Sequence, residues 1–269
     1  MADALHIESL GFDLLTVSDH LVGTEPTFET WTLLTWAGAN TSRVGLLPTV
    51  LGLPYRHPPV VAKMAESLDR LSGGRLTLGL GGGGSDAEFR AFGLPVRRPA
   101  EKVQGLREAI EIIRGLWSEP SFSYSGQLYS VAAANVEPKP GRRIPIWTGS
   151  YGRRSLELTG RLADGWNPSM AYAPPEIAPK MREVVRKAAA EAGRNPDDIT
   201  CSYNVSVYVD EKARPTPRMV AGPPDQVADR LAQFVRAGFS TLIFWARGRA
   251  EGRERLASEV LPVVRQAVE

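Results

Sequence analysis

The sequence predicts an α/β fold of the eight-fold (β/α)8 barrel type. Three observations carry this. Short runs rich in leucine and β-branched residues alternate with stretches whose apolar residues recur at helical spacing. The short runs are apolar almost throughout, as parallel strands covered by helices are. Seven such runs in 269 residues suit a closed barrel better than an open, doubly wound sheet.

Taken in order, the chain begins within a helix, and "FDLLTVSDH" then reads as a strand. "TFETWTLLTWAGA" reads as a helix and "RVGLLPTV" as a strand. Pro58 and Pro59 suit the start of the next helix, whose apolar face is Val61, Met64, Leu68 and Leu71, with "SGG" to end it. "RLTLGL" is a strand, after which Ser85 and Asp86 open a helix. Val103, Leu106, Ile110, Ile113 and Trp117 keep helical spacing. Residues 119–143 break the rhythm with alternating aromatics around Ser125-Gly126 followed by prolines, and are expected to form an inserted hairpin and loop. Then come "IPIWTG" as strand, "RRSLELTGRLA" as helix, "DGWN" as a very short strand and "PEIAPKMREVVRKAAAEAG" as a helix closed by glycine. "CSYNVSVYV", "PDQVADRLAQFVRAG" and "STLIFWA" follow as strand, helix and strand. The last helix carries Pro262, where a kink is expected. Nothing resembling a linker divides the chain, so residues 1–269 are expected to form a single domain.

Composition narrows the function. There are 32 basic and 30 acidic residues, a formal charge of +2. That near balance, without a dense basic block, argues against a nucleic-acid partner. Cys201 is the one cysteine, which excludes a disulfide framework and makes a reducing compartment, the cytoplasm, the expectation. No apolar stretch approaches membrane-spanning length.

Three stretches carry candidate chemistry. Gly81, Gly82, Gly83 and Gly84 stand together where a strand gives way to a helix. One reading is a tight turn. The other is a loop at the carboxyl end of a barrel strand, whose bare backbone can approach an anion or a flat ring. In a second turn, Thr148, Gly149, Ser150 and Gly152 precede Arg153 and Arg154 in the first turn of a helix. Basic residues are unfavourable there unless they meet an anion or point to solvent. A phosphate accounts for hydroxyls, glycines and arginines together, and a solvated turn accounts for Arg154 alone. The third stretch is "VSDHL". Asp19 and His20 follow an apolar strand at the end where barrel enzymes keep their chemistry, and a histidine there exchanges protons near neutral pH. Its structural alternative is a loop-bracing histidine. His57 is a helix-start residue, and His6 is expected to be exposed on the first helix. Histidines and carboxylates nowhere cluster at metal-ligand spacing. Phe28, Trp31, Tyr55 and Trp245 could line an apolar pocket, although core or interface is the stronger expectation for each.

The stretches "GFDLLTVSDHL", "YRHPPVVAKMAESLDRLSGGRLTLGLGGG", "PIWTGSYGRRSLELTGRLADGWNP" and "AGPPDQVADRLAQFVRAGFSTLIFW" together resemble the luciferase-like flavin-dependent oxidoreductases. Within that superfamily the chain is most similar to the branch that uses the deazaflavin coenzyme F420. The resemblance implies a (β/α)8 barrel with the flavin ring at the carboxyl ends of the strands. It places His20 near the ring as the catalytic residue, with Asp19 among the cofactor-binding residues. It places Thr49 and Val50 in a bulge behind the ring, often with a non-proline cis peptide between them. It also implies that Gly81, Gly82 and Gly83 line the cofactor, and that Thr148, Gly149 and Ser150 receive its phosphate.

In such relatives a barrel strand precedes the helix leading into "GFD". Here the chain starts inside that helix, so the first strand is expected to be missing. Three functions are compatible with the sequence. The first is hydride transfer between coenzyme F420 and a small organic substrate. The second is a monooxygenase reaction with reduced FMN and O2. The third is a flavin-binding or structural homologue without turnover. A homodimer is expected, because relatives often form one.

Overall fold

Helices and strands alternate from Leu14 onward in the computed structural model, which describes residues 2–23 and 26–267. The order is α1 (Ala2–Ser9), β1 (Leu14–Val17), α2 (Thr30–Asn40), β2 (Gly45–Pro48), β3 (Leu51–Gly52), α3 (Pro58–Leu71), β4 (Leu78–Gly81), α4 (Asp86–Ala91) and α5 (Pro99–Ser118). It continues with β5 (Phe122–Ser125), β6 (Ser130–Ala134), β7 (Ile146–Thr148), α6 (Arg153–Leu162), β8 (Gly165–Trp166), α7 (Ala178–Glu191), β9 (Thr200–Val209) and β10 (Val220–Gly222). The chain closes with α8 (Pro224–Arg236), β11 (Thr241–Ala246), α9 (Arg249–Arg255) and α10 (Leu261–Gln266). Contacts group these elements into two units. One comprises Thr16–Gly149 with Leu162–Asp164, the other the chain up to Leu15, Ser150–Arg161, and the chain from Gly165 onward.

In the first unit β3, β4 and β7 run parallel, while β5 and β6 pair antiparallel as a hairpin. Leu51 lies opposite Leu80, and Leu78 opposite Ile146. β4 is buried at every position, which accounts for its unbroken apolar sequence. Helix α3 starts on Pro58 and Pro59, with His57 as its N-cap. Its buried face includes Val61, Ala65 and Leu68. Leu71, assigned to that face from its spacing, is instead 75% exposed, because it falls on the last turn, where the chain leaves at Ser72. Helix α5 opens with a capping box between Arg98 and Glu101 and packs Ile110 and Ile113 inward. Its buried Glu108 reaches the expected hairpin β5–β6, accepting hydrogen bonds from the backbone N–H groups of Gln127, Leu128 and Tyr129. Burial pushes its carboxyl up, but the Gln104 side-chain amide and these backbone donors together hold it below the usual carboxylate range.

In the second unit β9 is the organising strand. It pairs in parallel with β8, β10 and β11, and Tyr203, Val205 and Val207 from it enter a core with Trp166, Leu231 and Phe239. β10 is absent from the sequence reading, because three residues ending in glycine carry no periodicity. The disturbance expected at Pro262 falls one turn earlier, as the wide π-helical turn Leu256–Val260. His6 is half-buried against Glu254, not exposed. Trp245 and, in the first unit, Phe28 are exposed at 54% and 77%, so neither is a core residue.

Candidate functional site

The first unit carries most of the residues singled out from the sequence. β1 ends at Val17, and Asp19 and His20 follow in the loop beyond it. Their side chains go to different partners. Asp19 is buried, and its Oδ2 accepts from the Gly52 N–H at 2.7 Å and from Arg56 Nη1 at 2.8 Å. Arg56 also reaches Glu29, whose carboxylate caps α2 by accepting from the N–H groups of Trp31 and Thr32. Burial pushes the Glu29 carboxyl up, but these donors outweigh it and hold it at about 2. Asp19, expected among cofactor-binding residues, thus spends its carboxylate on the backbone of β3 and on Arg56.

His20 turns to α4. Its Nδ1 lies 2.8 Å from Glu88 Oε2, while Glu88 Oε1 takes the Leu21 N–H. The histidine side chain is 52% exposed and the glutamate 4%. Burial raises the Glu88 carboxyl, but the contacts from His20, Tyr55 and Leu21 prevail and bring it down to about 2. The Tyr55 hydroxyl lies beside this carboxylate, and burial together with Glu88 pushes the phenol above its ordinary value. The Tyr55 ring stands edge-on to Phe89, with centroids 5.2 Å apart. Sequence reasoning missed Glu88. Ser85-Asp86-Ala87-Glu88 has the spacing of a capping box, yet Ser85 makes no side-chain cap, and the glutamate is free to serve His20.

The peptide between Thr49 and Val50 is cis, as the resemblance implied. The Thr49 N–H donates to the Val17 carbonyl at 2.8 Å, and its Oγ1 is buried without a hydrogen-bond partner. The neighbouring glycines have a reason within the chain itself. A Cβ on Gly81 would stand 2.6 Å from Val50 Cγ2, and one on Gly82 2.9 Å from the Lys102 carbonyl oxygen. Gly83, at φ +97°, would meet Phe89 and Pro54 at 2.8 Å. Only Gly84 of the four faces open space. The turn is therefore glycine-rich first because protein packs against it.

The second turn is likewise engaged. Thr148 is fully buried at the end of β7, and the Gly149 N–H donates to the Leu80 carbonyl. In the other unit, the Ser150 hydroxyl accepts from Thr159 and its carbonyl accepts from the Trp166 indole. Arg153 pairs with Glu157 one turn along its own helix and is mostly in solvent, so this arginine is a surface ion pair. Tyr151 packs on Tyr172 with centroids 5.3 Å apart. No cluster of metal-ligating side chains occurs among the described residues, and none of their helices is long and apolar enough to cross a membrane.

The histidine beyond the first strand, the non-proline cis peptide after the second and the glycine turn after the fourth are the features that the resemblance to the luciferase-like barrel oxidoreductases implies. The chain belongs to the luciferase-like monooxygenase family, whose model matches residues 2–215. It is 29% identical to an F420-dependent glucose-6-phosphate dehydrogenase of Microbacterium testaceum, over 96% of this chain and 91% of that protein. It is also 29% identical to a 5,10-methylenetetrahydromethanopterin reductase of Archaeoglobus fulgidus, over 83% of this chain and 66% of the relative. An F420-dependent secondary alcohol dehydrogenase, solved with an F420-acetone adduct, superposes with a TM-score of 0.88 at 18% identity, covering 97% of this chain and 93% of that one. The fold is that of the luciferase-like (β/α)8 enzymes.

Proposed function

We propose that this chain is an oxidoreductase that passes a hydride between coenzyme F420 and a small organic substrate. The observation that carries the reading is His20: half-exposed at the end of β1 and anchored through Nδ1 by the buried Glu88, in a chain whose relatives include F420-dependent dehydrogenases. The residues fit a flat heterocycle with an amide-like edge, because the buried Thr49 Oγ1 lacks a partner and a polar ring edge would satisfy it. Thr49, Val50 and the backbone of Gly81, Gly82 and Gly83 are assigned to the ring. Thr148, Gly149 and Ser150 are assigned to the phosphate. Asp19 acts through the Gly52 backbone that it holds. The deazaflavin, when bound, supplies the hydride chemistry. The chain's own residues orient the reactants, and His20 moves a proton at the reacting centre.

A second reading, a monooxygenase using reduced FMN and O2, is favoured by the description of the family model itself. The reading also takes the 269 residues as one domain, working as a cytoplasmic homodimer on small molecules, with neither nucleic acid nor membrane as partner. Spectral titration with F420 and with FMN, followed by oxygen-uptake measurements, tests it. F420 binding with substrate-dependent bleaching and no oxygen uptake supports the first function. FMN binding with oxygen uptake moves the assignment to the second. Binding of neither overturns both and leaves a homologue without turnover.

A further inference from the structure

The proton-handling role proposed for His20 raises the question of which ring nitrogen does the work. Glu88 Oε2 is 2.8 Å from Nδ1. An ionised carboxylate only accepts hydrogen bonds, so Nδ1 must be the donor. Nε2 makes no hydrogen bond among the described residues, and half of the side chain is open to solvent. The groups facing Glu88 are His20, Tyr55 and the Leu21 N–H, with Asp19 and Arg56 beyond the phenol. From this arrangement we infer that Glu88 is a positioning residue that fixes the tautomer of His20, keeping the neutral ring's one proton on Nδ1 and presenting Nε2 as the proton acceptor.

The proton step balances on these atoms. The Nε2 lone pair forms a new N–H bond. The substrate's bond to that hydrogen breaks, and its electron pair stays on the substrate. The imidazolium so formed keeps Nδ1–H on the Glu88 carboxylate, which stabilises the new charge.

The Leu21 N–H makes the assignment unusually testable. A backbone N–H can only donate, and it already occupies Glu88 Oε1. In Glu88→Gln the amide oxygen must therefore face Leu21, which turns the amide NH2 toward His20 Nδ1. The Tyr55 hydroxyl can rotate to donate or accept and does not oppose this. Nδ1 then has to accept, and the ring proton is driven to Nε2. An isosteric change at a buried residue thus reverses the tautomer of an exposed one.

The test is 15N NMR of the histidine rings in the cofactor-free protein, above the pH at which they are protonated. The chain has three histidines, His6, His20 and His57, and His20→Asn assigns the signal. Expected is a wild-type His20 with a protonated Nδ1 and a bare Nε2, and the opposite pattern in Glu88→Gln. With F420 and substrate present, turnover in the proton-accepting direction should fall by roughly 10²–10⁴-fold in Glu88→Gln. A wild-type His20 carrying its proton on Nε2 overturns the inference without any variant, and so does a Glu88→Gln protein that keeps the proton on Nδ1. F420 binding is read separately on the same samples, so a failed cofactor reading and a failed tautomer assignment give different results.

Discussion

Arg56 and Asp19 form a buried ion pair that ties the loop after β1 to the chain after β3, with Nη1 2.8 Å from Oδ2. The arginine side chain is 12% exposed and the aspartate 2%. Asp19 accepts in addition from Gly52, and Arg56 extends to the cap of α2. One guanidinium thus braces three segments around His20.

Removing one partner of such a pair leaves a buried charge uncompensated. Arg56→Ala is expected to destabilise the protein by about 3–5 kcal/mol. Its denaturant midpoint should fall, and the double change Arg56→Leu with Asp19→Asn should recover a substantial part of the loss. Equal loss in the single and double variants would show that the pair is not what Arg56 contributes.

The glycine turn should be intolerant at one position and permissive at the next. Gly83→Ala combines a left-handed backbone with contacts of 2.8 Å to Phe89 and Pro54, and should cost roughly 1–3 kcal/mol. Gly84→Ala meets nothing within 4 Å and should stay within about 0.5 kcal/mol of the parent. Thermal unfolding of the two variants side by side checks the contrast.

Glu88 predicts an acid-sensitive fold. Its carboxyl is held at about 2, below its ordinary 4.5. A depressed folded-state value means that the unfolded chain binds the proton more readily. The stabilisation is therefore fully present above about pH 5 and is lost as pH falls from there toward 2. For one buried carboxylate this amounts to about 3 kcal/mol at most. Unfolding free energy measured between pH 7 and pH 3 should decline, with a shallower decline in Glu88→Gln.

His20→Ala should lower turnover by about 10²–10⁴-fold while cofactor affinity falls far less, because the ring and phosphate are assigned to backbone on the two turns. Turnover and cofactor dissociation constants measured on the same folded variant decide this. Near-normal turnover would return His20 to a structural role.

A homodimer should bury on the order of 1,600 Å² in total. Light scattering at micromolar concentration gives the mass directly, and a mass of 29.3 kDa, that of one chain, rejects the dimer.

Most of the alternation was legible because parallel strands such as β4 are buried on both faces, and helices such as α3 and α5 carry proline at their starts. β10 was not, since its pairing with β9 is a long-range contact that three residues cannot encode locally. His20 was legible from its place after an apolar strand. Its partner was not, because Glu88 lies 68 residues on and its local spacing suggests a helix cap. The glycines were legible as a special turn, but their immediate reason, the volumes of Val50, Lys102, Pro54 and Phe89, exists only once the chain is folded.

Val50 sits in a notch between two glycines of β4. Its Cγ1 would be 3.2 Å from a Cβ on Gly79, and its Cγ2 2.6 Å from one on Gly81. Positions 50 and 81 therefore share a fixed volume. A side chain at 81 is admissible only where 50 has shrunk, so the two columns should covary across descendants of this sequence. A library that diversifies position 81 while holding Val50 fixed meets this contact in every member that is not glycine.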